Sequence, residues 1–141
     1  MLRKKTDRRG FTLIEVLVVM IIISLLASLV APKLFKQLGK SQTRTAEAQI
    51  EMISTALDAF RLDVGRYPTT EEGLEILWTK PGDLEKYDGP YLPKPVNGDP
   101  WGGEYHYEAP GENDRPFELY TLGADGKEGG ERENQDVSYW E

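Results

Sequence analysis

From Phe11 to Ala31 the chain runs for 21 residues with Glu15 as its only charge. As a helix rising about 1.5 Å per residue, such a run crosses a hydrocarbon layer roughly 30 Å thick. The segment is read as a transmembrane helix, residues 11–34 with its exit. Arg3, Lys4, Lys5, Arg8 and Arg9 precede it, so the N-terminus is expected in the cytoplasm and the C-terminal bulk across the membrane, which in a bacterium is the periplasm. An ordinary secretory signal also begins basic and then apolar, but it has a shorter apolar core and ends at a small-x-small cleavage site. Here Ala27 has Leu25 two places before it and Ala31 has Leu29.

The remaining length leaves room for one modest domain of roughly 100 residues. Residues 1–10 sum to +4, so the rest of the chain carries −11 of an overall −7. That acidic remainder argues against nucleic acid as a partner. With no cysteine, neither a disulfide nor a thiolate zinc site can staple so small a domain.

Glu15 is the discordant residue, because an ionised side chain of this kind costs about 2.5 to 3.5 kcal/mol at mid-membrane and less near an end. No Lys or Arg lies between Phe11 and Pro32 to pair with it along its own helix. Cleavage before Phe11 would create a free α-amino group, cationic at neutral pH with an ordinary pKa of about 8, close to the same depth. Glu15 of an adjoining copy could then receive it.

The stretch "RRGFTLIEVLVVM", with Gly10, Phe11, Thr12, Leu13 and Glu15 and with Pro32 beyond, resembles the leader and first helix of type IV pilins and type II secretion pseudopilins. That resemblance implies a leader, residues 1–10, removed by a prepilin peptidase between Gly10 and Phe11. It further implies N-methylation of Phe11, use of Glu15 in filament assembly, and contact with membrane lipid.

Past Pro32 the helix is expected to continue as a water-exposed stem to about Val64, with Pro32 and Gly39 as places where it bends or unwinds. Ile50, Ile53, Leu57 and Phe60 recur at spacings of three and four, and Ala46, Met52 and Ala56 widen the stripe, so one face should pack on a sheet. Glu47, Glu51 and Asp58 mark the opposite face. Gly65 suits a helix C-cap, Pro68 forbids continuation, and Thr69 with Glu72 reads as a capping box opening a brief helix to about Leu77. Residues 81–103 hold five prolines among glycines and the rings of Tyr87, Tyr91 and Trp101, which reads as an ordered loop pinned by those rings. "EYHYEA" and "FELYTLG", joined by the polar "PGENDRP", read as a β-hairpin. A lone hairpin is marginal, so it should lean on the Ile50–Phe60 face. His106, the only histidine, sits between tyrosines in a strand pattern and reads as structural.

"LGADGKEGGERENQDVSYW" places acidic and amide oxygens on a glycine-rich chain, the material of a calcium loop. It is no EF-hand: Asp125, Gly130 and Asp136 fit positions one, six and twelve, but Lys127 and Gly129 occupy three and five. The segment resembles the calcium-binding loop of major type II secretion pseudopilins, as "YLPKPVNGDPWGGEYHY" resembles the loop before their sheet. The implied ligands are the backbone oxygen of Leu122, the carboxylates of Asp125 and Asp136, and Asn134 and Gln135 between them.

The resulting expectation is an α+β, pilin-like α/β roll, with a long N-terminal helix on a small antiparallel sheet and a calcium-binding C-terminal loop. Residues 35–141 form the periplasmic domain. The family implies a non-enzymatic homopolymer, a single-pass inner-membrane protein that enters a periplasmic filament driving export of folded proteins. Its implied partners are the prepilin peptidase, minor pseudopilins and an inner-membrane assembly platform. No nucleophile, base and oxyanion donors stand in a catalytic pattern. Two other readings share features of the chain: a type IV pilin of a surface fibre, and a membrane-tethered calcium-dependent binding module that keeps residues 1–10.

Overall fold

The structure, a computed structural model, describes residues 10–141; the leader's basic residues lie outside them. The chain divides into two compact units, one ending at Gln37 and the other beginning at Leu38.

One helix, α1 (Leu13–Val64), supplies nearly all of the first unit and the spine of the second. In the first unit its apolar side chains, Leu13 through Phe35, are exposed all round, as suits a segment whose solvent is lipid. The Ser24 and Ser28 hydroxyls donate back to the carbonyls of Met20 and Leu25 at 2.8 and 2.7 Å, which satisfies them without water.

The expected unwinding at Pro32 and Gly39 does not occur, for α1 runs unbroken through both. Gly39 has a packing role instead. It is buried, and a Cβ there would lie 2.7 Å from Glu133 Oε2, so glycine lets the C-terminal loop approach the helix.

In the second unit α1 buries Ala46, Ile50, Ile53, Ala56, Leu57 and Phe60, following the expected spacing. Met52 departs from that reading: it is 45% exposed, because it lies about 40° beyond Ala56 at the edge of the stripe and about 80° to 100° from Phe60 and Ile53. The helix ends at Gly65, whose φ of 88° is the left-handed cap and whose N–H donates to Arg61 at 2.8 Å. Thr69 and Glu72 then bond reciprocally, Thr69 N–H to Glu72 Oε2 at 2.8 Å and Glu72 N–H to Thr69 Oγ1 at 3.2 Å. The capping box forms as expected, but it opens turns and a single 3₁₀ turn, Leu74–Leu77, which buries Ile76 and Leu77.

The sheet consists of β1 (His106–Glu108), β2 (Glu118–Thr121) and β3 (Val137–Ser138), all antiparallel with β2 central. Tyr107 faces Leu119 and Thr121 faces Val137, which directs those four side chains into the core. β1 and β2 are the expected hairpin; β3 was hidden in the acidic C-terminal segment. His106 is exposed and stacks on Tyr120 with ring centroids 5.0 Å apart, consistent with a structural role.

The long loop is tied down by its rings. Tyr87 is buried and donates to the Ile76 carbonyl at 2.9 Å, Tyr91 donates to Asp63 at 2.8 Å, and both rings meet Phe60 edge-on. Asp99 is the second anchor. Its Oδ1 accepts from the N–H groups of Trp101 (3.0 Å) and Gly103 (2.7 Å), and its Oδ2 accepts from the Thr121 hydroxyl on β2. A buried carboxylate thereby fastens the loop to the sheet.

Candidate functional sites at the helix start and the C-terminal loop

Thr12 caps α1, and its side chain and that of Glu15 repeat the reciprocal arrangement seen at Thr69. The Glu15 N–H donates to Thr12 Oγ1 and the Thr12 N–H to Glu15 Oε2, both at 3.3 Å. The pattern Thr-x-x-Glu was present in the sequence, so this local role of Glu15 was legible there. Among the described residues Glu15 has no salt bridge. Gly10 and Phe11 precede the helix, and Phe11 is 85% exposed. The residues of the expected processing site thus lie exposed and outside the helix ahead of α1, with Glu15 one turn beyond.

Glu72 shows what the same motif does when a cation is supplied. Arg66 meets its carboxylate with two hydrogen bonds of 2.7 and 2.8 Å. Those bonds, reinforced by the Thr69 N–H, hold the Glu72 carboxyl down to about 2 against the burial that opposes ionisation.

The C-terminal loop folds back so that residues 123–130 lie against 133–136. Ala124 N–H donates to Glu133 O at 2.8 Å, and Gly129 N–H donates to Asp136 Oδ2 at 2.9 Å. Closeness demands glycine twice: a Cβ at Gly123 would stand 2.7 Å from the Gln135 carbonyl oxygen, and one at Gly130 would overlap that of Asn134. Asp136 Oδ1 is buried with no hydrogen-bond partner among the described residues, an orphaned carboxyl oxygen. Asp125 is exposed and its Oδ1 accepts from Lys127 N–H at 3.1 Å. No group of three or more His, Cys, Asp or Glu converges among the described residues, and a cation held by the expected ligands would meet carbonyl and amide oxygens beside the carboxylates of Asp125 and Asp136. Such a donor set, all oxygen and low in charge, fits calcium and not zinc.

Comparison with known families places these features together. Residues 33–140 match the family model described as type II secretion system (T2SS), protein G, and residues 5–31 match the prokaryotic N-terminal methylation motif. The chain belongs to the type II secretion system protein G family. It is 44% identical to the type II secretion system core protein G of Pseudomonas aeruginosa, covering 98% of this chain and 99% of that one. Against the Vibrio cholerae core protein G it is 42% identical over 99% and 96% of the two chains. Among solved structures it resembles the major pseudopilin from the type 2 secretion system of enterohaemorrhagic Escherichia coli, with 32% identity and a TM-score of 0.61 over 77% of this chain and 95% of that one. Membership bears out the expected pilin-like fold, a long helix with a small antiparallel sheet. The methylation motif covers Gly10, Phe11 and Glu15, and the protein G match covers the whole C-terminal loop.

Proposed function

We propose that this chain is the major structural subunit of a type II secretion pseudopilus, held by α1 in the bacterial inner membrane with its second unit in the periplasm. The observation that carries the reading is the first unit itself: an exposed apolar helix that bears a methylation motif, with one carboxylate that meets no cation among the described residues. Cleavage after Gly10 supplies that cation as the Phe11 amine. A copy entering the filament sets its amine against Glu15 of its neighbour, which offsets the desolvation of both charges and fixes the register of the two helices. The subunit works mechanically, and its partners are further copies, the peptidase, minor pseudopilins and the assembly platform.

Calcium is the proposed staple of the second unit. Leu122, Asp125, Asn134, Gln135 and Asp136 would hold it through oxygen, and the orphaned Asp136 Oδ1 supports the reading. The chain's own part is to bring residues 123–130 and 133–136 together with the two close-approach glycines. A metal that binds only this folded loop stabilises the fold by linkage.

Deleting the gene and scoring exported proteins against twitching motility tests the assignment. Lost secretion with intact twitching is expected; intact secretion with lost twitching would assign the chain to a surface fibre. The mature mass is expected to lack residues 1–10 and to carry one methyl group, whereas a mature protein retaining those residues would fit a tethered binding module.

A further inference from the structure

We infer that Asn97 is a site of spontaneous covalent modification, converting to aspartyl and isoaspartyl forms through a cyclic imide with Gly98. The reaction needs an asparagine amide free to be attacked, a following backbone nitrogen free to attack, and no side chain at the next residue to obstruct the approach. All three conditions meet here. Asn97 is exposed, and no hydrogen bond among the described residues engages its amide or the Gly98 N–H. Gly98 has φ +119°, a conformation open to glycine. Both residues line an open cleft of about 410 Å³ that also presents Glu104 and the rings of Trp78 and Tyr105, so water reaches the reacting atoms.

The Gly98 nitrogen bonds to Asn97 Cγ, the Cγ–Nδ2 bond breaks, and ammonia departs with the proton from the Gly98 amide. Water then opens the imide on one side or the other. Opening at Cγ leaves an ordinary aspartyl residue; opening at the main-chain carbonyl leaves an isoaspartyl residue and one extra carbon in the backbone. The other asparagines are worse placed. Asn113 precedes Asp114, while Asn134 is half-buried and the Gln135 N–H that would attack it donates to Arg132 O at 3.2 Å.

The position gives the modification a structural consequence. Two residues on, Asp99 N–H donates to Gly103 O at 2.9 Å and the Asp99 carboxylate gathers Trp101, Gly103 and Thr121. An extra backbone carbon at position 97 displaces that anchor, whereas a new carboxylate without the extra carbon adds only charge to an exposed residue.

The full chain, purified in detergent and aged at neutral and mildly alkaline pH, tests this by peptide mass spectrometry and isoaspartyl methyltransferase labelling. Asn97 is expected to convert ahead of Asn113 and Asn134, and faster at the higher pH. Asn97→Gln should abolish the isoaspartyl label on the peptide that contains residue 97, leaving any label at Asp88-Gly89 and Asp125-Gly126 unchanged, and chains labelled at 97 should melt lower than the unmodified chain while Asn97→Asp melts with it. Survival of Asn97 over the time in which the denatured chain loses it would overturn the inference, as would earlier conversion of Asn113 or Asn134.

Discussion

The two capping boxes differ in what they open and in whether the glutamate meets a cation. At Thr69 the glutamate both caps a turn and meets a guanidinium from its own chain; at Thr12 the glutamate caps a helix and, among the described residues, has no ion pair. Glu72 is held by local chemistry, and its role ends within the fold. Glu15 stands on a helix surrounded by apolar surface and meets no cation among the described residues, which is why a partner from an adjoining copy is proposed for it. The contrast extends to the aspartates: Asp99 spends both oxygens inside the domain, while Asp136 keeps one oxygen buried and unused. Glu72 and Asp99 are fully engaged within the domain, whereas Glu15 lacks a cation among the described residues and Asp136 leaves one oxygen unbonded, and the two proposed roles rest on that difference.

Removing a satisfied carboxylate should therefore damage stability most. Asp99→Ala strands the Trp101 and Gly103 N–H groups and the buried Thr121 hydroxyl, and is expected to destabilise the second unit by about 2 to 4 kcal/mol. A thermal melt of the full chain in detergent measures it; an unchanged midpoint would mean that Asp99 is not an anchor.

Filling the unused Asp136 oxygen should have a comparable effect in the opposite direction. Calcium at 100 times its dissociation constant stabilises by about 2.7 kcal/mol, and Asp125→Ala or Asp136→Ala should remove that gain. A midpoint indifferent to calcium and to chelator would reduce the loop to a turn.

Glu72→Gln should cost less, under about 1 kcal/mol, because Arg66 is 44% and Glu72 25% exposed and solvent screens the pair. Its signature is pH dependence. With the folded carboxyl at about 2 against an ordinary 4.5, the pair's contribution is complete above pH 4.5 and is lost as pH falls toward 2. The substitution should flatten the acid limb of the stability profile in that window, so that the two proteins differ most above pH 4.5 and converge as pH falls toward 2.

Much of this was legible because the relevant signals are periodic or local. The Ile50–Phe60 stripe, the Gly65 cap, the Thr69–Glu72 box and the β1–β2 hairpin are written in spacings of two to four residues. Met52 misled because it is apolar and lies only about 40° beyond Ala56, just past the edge of the face that packs. β3 escaped because two residues carry no period, and its neighbours attracted attention as ligands. The Asp99 anchor joins residues 22 positions apart, and an aspartate between glycine and proline looks like an ordinary turn. Gly39 read as a weak point because its partner, Glu133, lies far along the chain and only folding brings them together.

The most direct test of the account replaces Glu15 by Leu in a strain lacking the chromosomal copy, with secretion, filament assembly and mature mass measured together. The account predicts a processed, methylated protein with an unchanged melt that neither assembles nor restores export. A Glu15→Leu protein that polymerises and secretes like the parent would contradict it, since the unpaired carboxylate would then have no intermolecular work.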